Sequence, residues 1–291
     1  MVAFRSRTGT ENPRPIRLPR GAGDWEWIVQ PSHSPFLASS FSTGYQPNCK
    51  LTDRMKSSVQ CPVCRSIQQT FLPAGVTSRR PNAMCGICGS LERHRLVWLY
   101  LLDKKKLFRP KIRILHFAPE WTFHRTLSIA SHVEYWPVDI DPASFKYGGT
   151  PVTKTDIIDI PFKDNWFDGV LCNHVLEHIP NYLLAMSELF RVIAPGGWAI
   201  LQVPIRPNDE KTDEDPNVVT PEERERRFGQ RDHVRFYGKD YPDRLSSVGF
   251  NVTVDKYVET FDGKTRSYFG LNEKETLFFC EKPSHETEKA L

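Results

Sequence analysis

The sequence predicts an α/β fold in which a largely parallel sheet is covered by helices on both faces. Three observations carry that expectation. In the stretch 156–204, DIIDIPFKDNWFDGVLCNHVLEHIPNYLLAMSELFRVIAPGGWAILQVP, a short apolar run at 169–172 precedes an amphipathic segment and a second apolar run. Within that segment Leu183, Leu184, Met186, Leu189, Phe190, Val192 and Ile193 recur at three- and four-residue steps, giving a helix one oily face. Pro195, Gly196 and Gly197 stop the helix, and 198–203, closed by Pro204, is too short for a buried helix. It reads as a strand parallel to 169–172 through a helical crossover, and such units build sheets buried on both sides.

Composition bounds the function. At 291 residues the chain has room for two domains or for one domain with appendages. The formal charge is +4, but residues 1–60 hold eight Lys and Arg against four Asp and Glu, leaving 31 of each in the remainder. The basic excess sits in a tail, so a nucleic-acid partner is not indicated for the folded body. The longest uninterrupted apolar run, LVWLYLL at 96–102, falls far short of the roughly 20 residues of a membrane helix. The first twenty residues carry five Arg and no apolar h-region, and Pro13, Pro15 and Pro19 break any targeting helix, so a cytoplasmic location is expected. Seven cysteines, four of them in two close pairs, suit a reducing compartment and a metal site better than a disulfide framework.

The run FDGVLCNHVLEHI, then the helix, then RVIAPGGWAILQVP closely resembles the class I S-adenosylmethionine-dependent methyltransferases around the fourth and fifth strands of their sheet, and the resemblance covers about 111–282. A subgroup of that family begins with a four-cysteine zinc ribbon, and this chain looks like a member. The resemblance implies a Rossmann-like, seven-stranded, mostly parallel sheet with an antiparallel last strand, preceded by a small zinc ribbon. It implies S-adenosylmethionine as cofactor.

Residues 1–57, rich in Arg, Pro, Ser and Gly, are expected to be a flexible extension. The ribbon and a linking helix take 58–108. Cys61-Pro-Val-Cys64 and Cys85-Gly-Ile-Cys88 are two similar knuckles whose thiolates suit tetrahedral Zn²⁺; four protein ligands leave no open position, so this zinc is structural. Ser90 opens a helix expected to reach about Phe108, with Arg93, His94 and Arg95 crowded at its start, where a solvated face competes with a grip on an acidic ligand or on the zinc module.

The methyltransferase domain is expected over 109–283. Its first strand, 112–117, leads into Ala118-Pro119-Glu120, where the family carries a Gly-rich loop. His116 stands where an acid is usual and Glu120 where a glycine is usual, so the carboxylate facing the methionine ammonium is expected to have moved along the loop; Ala118 borders the same cofactor site. Asp139, at the end of the second strand, matches the acid that takes the ribose hydroxyls. Asp156 and Ile157 match the pair flanking adenine, the carboxylate accepting from the exocyclic amine and the apolar side chain covering the ring. Asn173 and His174 end the fourth strand, where open α/β sheets place ligands, so Asn173 is assigned to the cofactor and His174 to the acceptor. His178 reads as a capping or core residue. The polar stretch 206–231 is expected to be a lid-like insertion. After it His233, Arg235 and Tyr237 alternate, which presents a histidine, a cation and a phenol on one side. His233 and Arg235 join His174 as candidate catalytic residues, with inter-element salt bridging as the competing account. Two last strands, 251–258 and 276–281, form the edge hairpin, and 284–291 is a disordered tail.

The function expected from all this is methylation of a small-molecule acceptor, on oxygen, with an anionic carboxylate as the simplest acceptor. Two readings stand beside it: a zinc-stabilised interaction protein on a methyltransferase scaffold, motivated by the altered 118–120 loop, and an RNA or protein methyltransferase. A homodimer is left open.

Overall fold

The structure, a computed structural model, describes residues 58–75, 79–104, 106, 107 and 110–284. The extension expected over 1–57 and nearly all of the expected tail lie outside the described residues. Seven strands make one sheet: β1 Ile112–Phe117, β2 Val133–Asp139, β3 Thr153–Lys154, β4 Phe167–Asn173, β5 Ile193–Gln202, β6 Asn251–Asp255 and β7 Leu277–Glu281. Their spatial order is β6-β7-β5-β4-β1-β2-β3. β1 pairs in parallel with β2 and β4, β2 with β3, and β4 with β5, whereas β7 runs antiparallel to β5 and β6. This is the Rossmann-like α/β sheet that the sequence implied. Chain order reverses between β1 and β4, so the crevice at their carboxyl ends is where such a sheet receives a ligand.

Strand alternation splits the core in two. Ile112 and Ile114 of β1, Leu171 of β4 and Trp198 and Ile200 of β5 face one side, under α1 (Glu92–Asp103) and α2 (Trp121–Ser128). Leu115, Phe117, Val170, Cys172, Ala199 and Leu201 face the other, under α3 (Tyr182–Val192) and beyond the insertion helix α4 (Pro221–Phe228) the short α5 (Tyr241–Ser246). A Cβ on Gly169 would come within 2.5 Å of the Trp198 ring, so only glycine lets that indole cross β4.

Element ends differ from expectation where tertiary pairing overrides local punctuation. β5 starts at Ile193, directly after α3, and the 194–197 segment bulges out before the ladder to β4 resumes at Trp198; Gly196 takes the left-handed backbone (φ 74°) that this excursion needs. α1 stops at Asp103 and β6 at Asp255. The insertion is not an open flap: Asp213–Glu214 pair with Arg235–Phe236, and α4 is closed by a capping box between Thr220 and Glu223. No helix among the described residues is long and apolar enough to cross a membrane.

A buried arginine ties the ribbon to the sheet domain. Arg95 of α1, fully buried, donates from Nε to the Phe269 carbonyl (2.7 Å) and from its two terminal nitrogens to Ser90 (2.6 Å) and Gly270 (2.6 Å), with its guanidinium 4.0 Å above the Phe71 ring. Phe269 and Gly270 close α6 (Gly263–Phe269), between β6 and β7, while Phe71 belongs to the ribbon. Burial pushes this guanidinium's pKa down, and the negative ends facing it, Cys61, Glu92, Cys85 and Cys88, push it back up. The crowded Arg93-His94-Arg95 run is thus divided in its labour, with Arg95 serving the ribbon. Replacing Arg95→Met is expected to leave the Phe269 and Gly270 carbonyls unpaired, the Ser90 carbonyl keeping the Cys85 N–H, and to cost about 3 kcal/mol or more. For a domain of this size that is a melting-temperature loss of roughly 6–12 °C. A melt unchanged within 2 °C would remove Arg95 from this role.

Candidate functional site

The carboxyl ends of β1 and β4 meet around one carboxylate. Glu120 is the N-cap of α2, and its Oε2 accepts from His116 Nε2 at 2.6 Å while its Oε1 accepts from Asn173 Nδ2 at 3.0 Å. His116, fully buried on β1, has Nδ1 hydrogen-bonded to the Tyr135 hydroxyl of β2 at 2.8 Å, so a chain of hydrogen bonds runs Tyr135, His116, Glu120, Asn173. The carboxylate therefore does lie beside the position where an acid is missing. Burial alone would push the Glu120 carboxyl up, but the His116 hydrogen bond and the His116 and His94 charges outweigh it and hold it at about 2.

The loops that follow β1 and β4 are both strained. Ala118 has φ 45° and His174 has φ 55°, left-handed conformations that cost a side-chain-bearing residue on the order of 1 kcal/mol each. At Ala118 the backbone keeps the turn a glycine would favour, and its N–H donates to Val138 at 3.0 Å. Strain of this kind at the mouths of two adjacent strands marks a ligand site.

Several buried polar atoms have no partner: Arg93 Nε, His94 Nε2, Asn173 Oδ1 and His174 Nε2, and, after β3 and beside the end of β2, Thr155 Oγ1. His94 is instructive. Its Nδ1 accepts from the Leu91 N–H, so in the neutral ring Nε2 carries the proton, 3.8 Å from Glu120 Oε1 and too far to bond. Glu275, just before β7, joins the group: burial pushes its carboxyl up, against the charges of Arg93 and His174. Neither Glu275 nor Thr155 was singled out from sequence, since a lone glutamate before an edge strand and a threonine before Asp156 carry no pattern.

The remaining candidates fall into place unevenly. Asp139 ends β2 partly exposed, with Oδ1 accepting from Asp141 N–H at 2.8 Å; beside it Ile140 is 57% exposed, an apolar surface on which a base could lie. Asp156 is exposed and accepts from Ile158 N–H at 3.1 Å. Ile157, however, is only 4% exposed and belongs to the α3-side core, so it has almost no surface to offer an adenine ring. The alternation of His233, Arg235 and Tyr237 does put them on one side, but that side faces the protein's own turn at 176–180. Arg235 donates to the Leu176 carbonyl at 3.0 Å, the Pro180 carbonyl at 2.9 Å, the Ile179 carbonyl at 2.5 Å and Glu214 at 3.0 Å. Tyr237 donates to Leu176 at 3.3 Å, and His233 is buried with Nδ1 on the Phe228 carbonyl at 3.1 Å. Arg235 is a bolt, with four donor contacts already made, and not a free acceptor-binding cation. His174, one-third exposed, keeps an open Nε2 and sets Nδ1 3.4 Å from Glu177.

The four ribbon sulfurs lie within 4.8 Å of one another, with Cys61–Cys88 at 3.6 Å and Cys64–Cys85 at 3.7 Å. A tetrahedron with bonds of about 2.3 Å has edges of about 3.8 Å, so the set fits zinc with little adjustment. The Gln68 amide at 3.0 Å and the Ile87 N–H at 3.4 Å both donate to the Cys85 sulfur, as suits a thiolate.

Residues 121–201, from α2 through β5, match a family model described as a methyltransferase domain. That stretch is similar to a methyltransferase domain. The demethylmenaquinone methyltransferases of Staphylococcus carnosus and Staphylococcus aureus are 28% and 27% identical to the chain over 122 residues, which is 38% of this chain and 50% of each relative. The chain thus spans about half the length of these curated relatives. A looser likeness, at TM-score 0.43 and 16% identity over 64% of this chain and 93% of the other, extends to an S-adenosylmethionine-dependent methyltransferase from Archaeoglobus fulgidus.

His94 gives the fold an acid sensitivity. Burial first, then the charges of Arg93, Arg95 and His174, depress its pKa to about 4, against the attraction of Glu120. A depressed histidine stays neutral when folded while the unfolded chain takes up a proton, so its share of stability is present above about pH 6.5 and is lost as pH falls toward 4. The loss amounts to roughly 3 kcal/mol. With zinc in excess, denaturant melts of the wild type between pH 6.5 and 4.5 should show this slope and His94→Gln should flatten it; parallel slopes would contradict the assignment.

Proposed function

We propose that this chain transfers a methyl group from S-adenosylmethionine to an oxygen of a small anionic acceptor, a carboxylate in the simplest case. The observation that carries the reading is the gathering of buried, partnerless polar atoms at the carboxyl ends of β1 and β4, since such groups are otherwise satisfied in a folded protein. Glu120, with lone pairs to spare beyond its two hydrogen bonds, would face the methionine ammonium. Asp139 would accept from the ribose hydroxyls, Ile140 would lie on the adenine face in place of Ile157, and Thr155 and Asp156 would border the ring edge. Bound there, S-adenosylmethionine supplies a methyl group already activated by its sulfonium leaving group.

The protein's part is then to position and to exclude water. Because Arg235 is engaged with the 176–180 turn, and Arg206 with Asp213 (3.2 Å) and the Arg227 carbonyl, the donors left for an anion are Arg93, His94 and His174. A carboxylate is ionised at neutral pH and needs orientation more than a base, which suits a neutral His94. The relatives' printed name, demethylmenaquinone methyltransferase, supports a small-molecule acceptor. Zinc in the Cys61, Cys64, Cys85 and Cys88 set would be purely structural, because no coordination position stays open.

Asp139→Ala is expected to weaken S-adenosylmethionine binding by about 1.5–3 kcal/mol, tenfold or more, in calorimetry on the folded variant; equal affinity would exclude Asp139 from the ribose. Methyl-ester formation across a panel of mono- and dicarboxylic acids tests the acceptor, and activity confined to hydroxyl, amine or nucleic-acid acceptors would refute the carboxylate. Elemental analysis should find one zinc per chain, and Cys64→Ser should lose it together with solubility.

A further inference from the structure

Outside the zinc ribbon, a second set of metal-binding side chains is assembled in the turn after β4. Glu177, His178 and His233 each bring one ligand atom within 4.8 Å of the others. Glu177 and His178 stand on the 176–178 turn, and His233 arrives on the strap that leaves the insertion, held there by the Val234 N–H on the Glu177 carbonyl at 3.0 Å and by the Arg235 bolt. The strap and the turn are thus fixed against each other before any ligand is present.

The hydrogen bonding leaves unpartnered acceptor atoms close together in this cluster. The His233 Nδ1 must carry its hydrogen, because its partner is the Phe228 carbonyl at 3.1 Å, and a carbonyl only accepts. In the neutral ring Nε2 is then a bare lone pair, and it is buried without a partner. His178 likewise directs Nδ1 at the Asp232 carboxylate, 3.2 Å away, and keeps Nε2 as its lone pair when neutral. Glu177 is 1% exposed; its Oε2 has no partner and its Oε1 has only His174 Nδ1 at 3.4 Å. A buried carboxylate oxygen and a buried imidazole lone pair, each without a partner and close together, are costly as they stand, and a cation between them removes both faults. Carbonyl and carboxylate partners on the far ring nitrogens are also how proteins orient histidine ligands.

We propose that Glu177, His178 and His233 bind one divalent transition-metal cation as a two-histidine, one-carboxylate set. Two imidazoles select a first-row ion such as Mn²⁺, Fe²⁺, Co²⁺ or Zn²⁺ over Mg²⁺ or Ca²⁺, and three protein ligands leave positions open to oxygen ligands. The ligand atoms need only close in, by side-chain rotation, from up to 4.8 Å to the roughly 3 Å that bonds of about 2.1 Å require. Metal binding itself does not depend on the methyltransferase reading. The use of the open positions does rest on it: they would hold an oxygen of the acceptor, beside His174 and Asn173 at the end of β4.

The test uses the full chain carrying one equivalent of zinc, enough to fill the four-cysteine ribbon and no more, titrated with Mn²⁺ and followed by the loss of the free-ion electron paramagnetic resonance signal. One saturable Mn²⁺ per chain is expected, with Glu177→Gln and His178→Ala each weakening binding tenfold or more. His178 is partly exposed, so its variant carries the same criterion should Glu177→Gln fail to fold. Absence of saturable binding up to millimolar Mn²⁺, or wild-type affinity in the folded variants, overturns the site. Mn²⁺ binding in a chain that methylates nothing would leave the site standing and remove only the proposed use of its open positions.

Discussion

The Glu120 carboxylate is the constraint on which the site depends. A lone carboxylate taken out of water costs several kcal/mol, so its surroundings must be built to hold it. Here two elements hold it by hydrogen bond, His116 from β1 and Asn173 from the end of β4, while His94 of α1 stands off at 3.8 Å. Both histidines have their own anchor, Tyr135 behind His116 and the Leu91 N–H behind His94. Position in the loop matters less than position in space. An acid at 116 would have reached the crevice directly; a histidine there reaches it by handing the role to a glutamate one turn further on.

How much of this was legible beforehand divides by the range of the interaction. The sheet could be read because alternation and three- and four-residue periodicity are local, and because the 169–204 stretch writes strand, helix and strand in sequence. The four cysteines were legible because metal coordination demands close pairs. The seat of Glu120 was legible from its displacement against the family pattern. The role of Arg235 was not. Alternation told correctly that His233, Arg235 and Tyr237 share a side, but which surface that side meets is a tertiary fact, and carbonyl acceptors at 176–180 carry no side-chain signature. Ile157 failed for a related reason: an apolar residue beside an acid looks the same whether it covers a ligand or fills the core, and here its neighbour in space is the core. Helix α6 escaped notice although Asp262, which caps Thr265, and Gly270, in the left-handed region, mark both of its ends.

The insertion after β5 changes character once its contacts are known. Its acidic and basic residues pair within the segment and with its flanks, Arg227 with Asp213 and Asp215, Arg244 with Glu214 and Asp240. Exposed pairs of this sort contribute little individually, but as a network they fix a shape. The shape they fix is a strap across the turn after β4. A segment that looked like a moving cover is a brace that presents His233 to Glu177.

Arg95 and His94 are neighbours on α1, and a helix turns about 100° per residue, so the two side chains leave it in different directions. One enters the seam with the ribbon, the other the wall of the crevice. The helix itself starts two residues after the Ser90 that contacts Cys61, with no linker between. In evolutionary terms the ribbon is therefore not a detachable module that can be shuffled, deleted or exchanged among relatives of this chain. A lineage that lost its thiols would have to rebuild the wall of its own crevice, and the two parts should be inherited together.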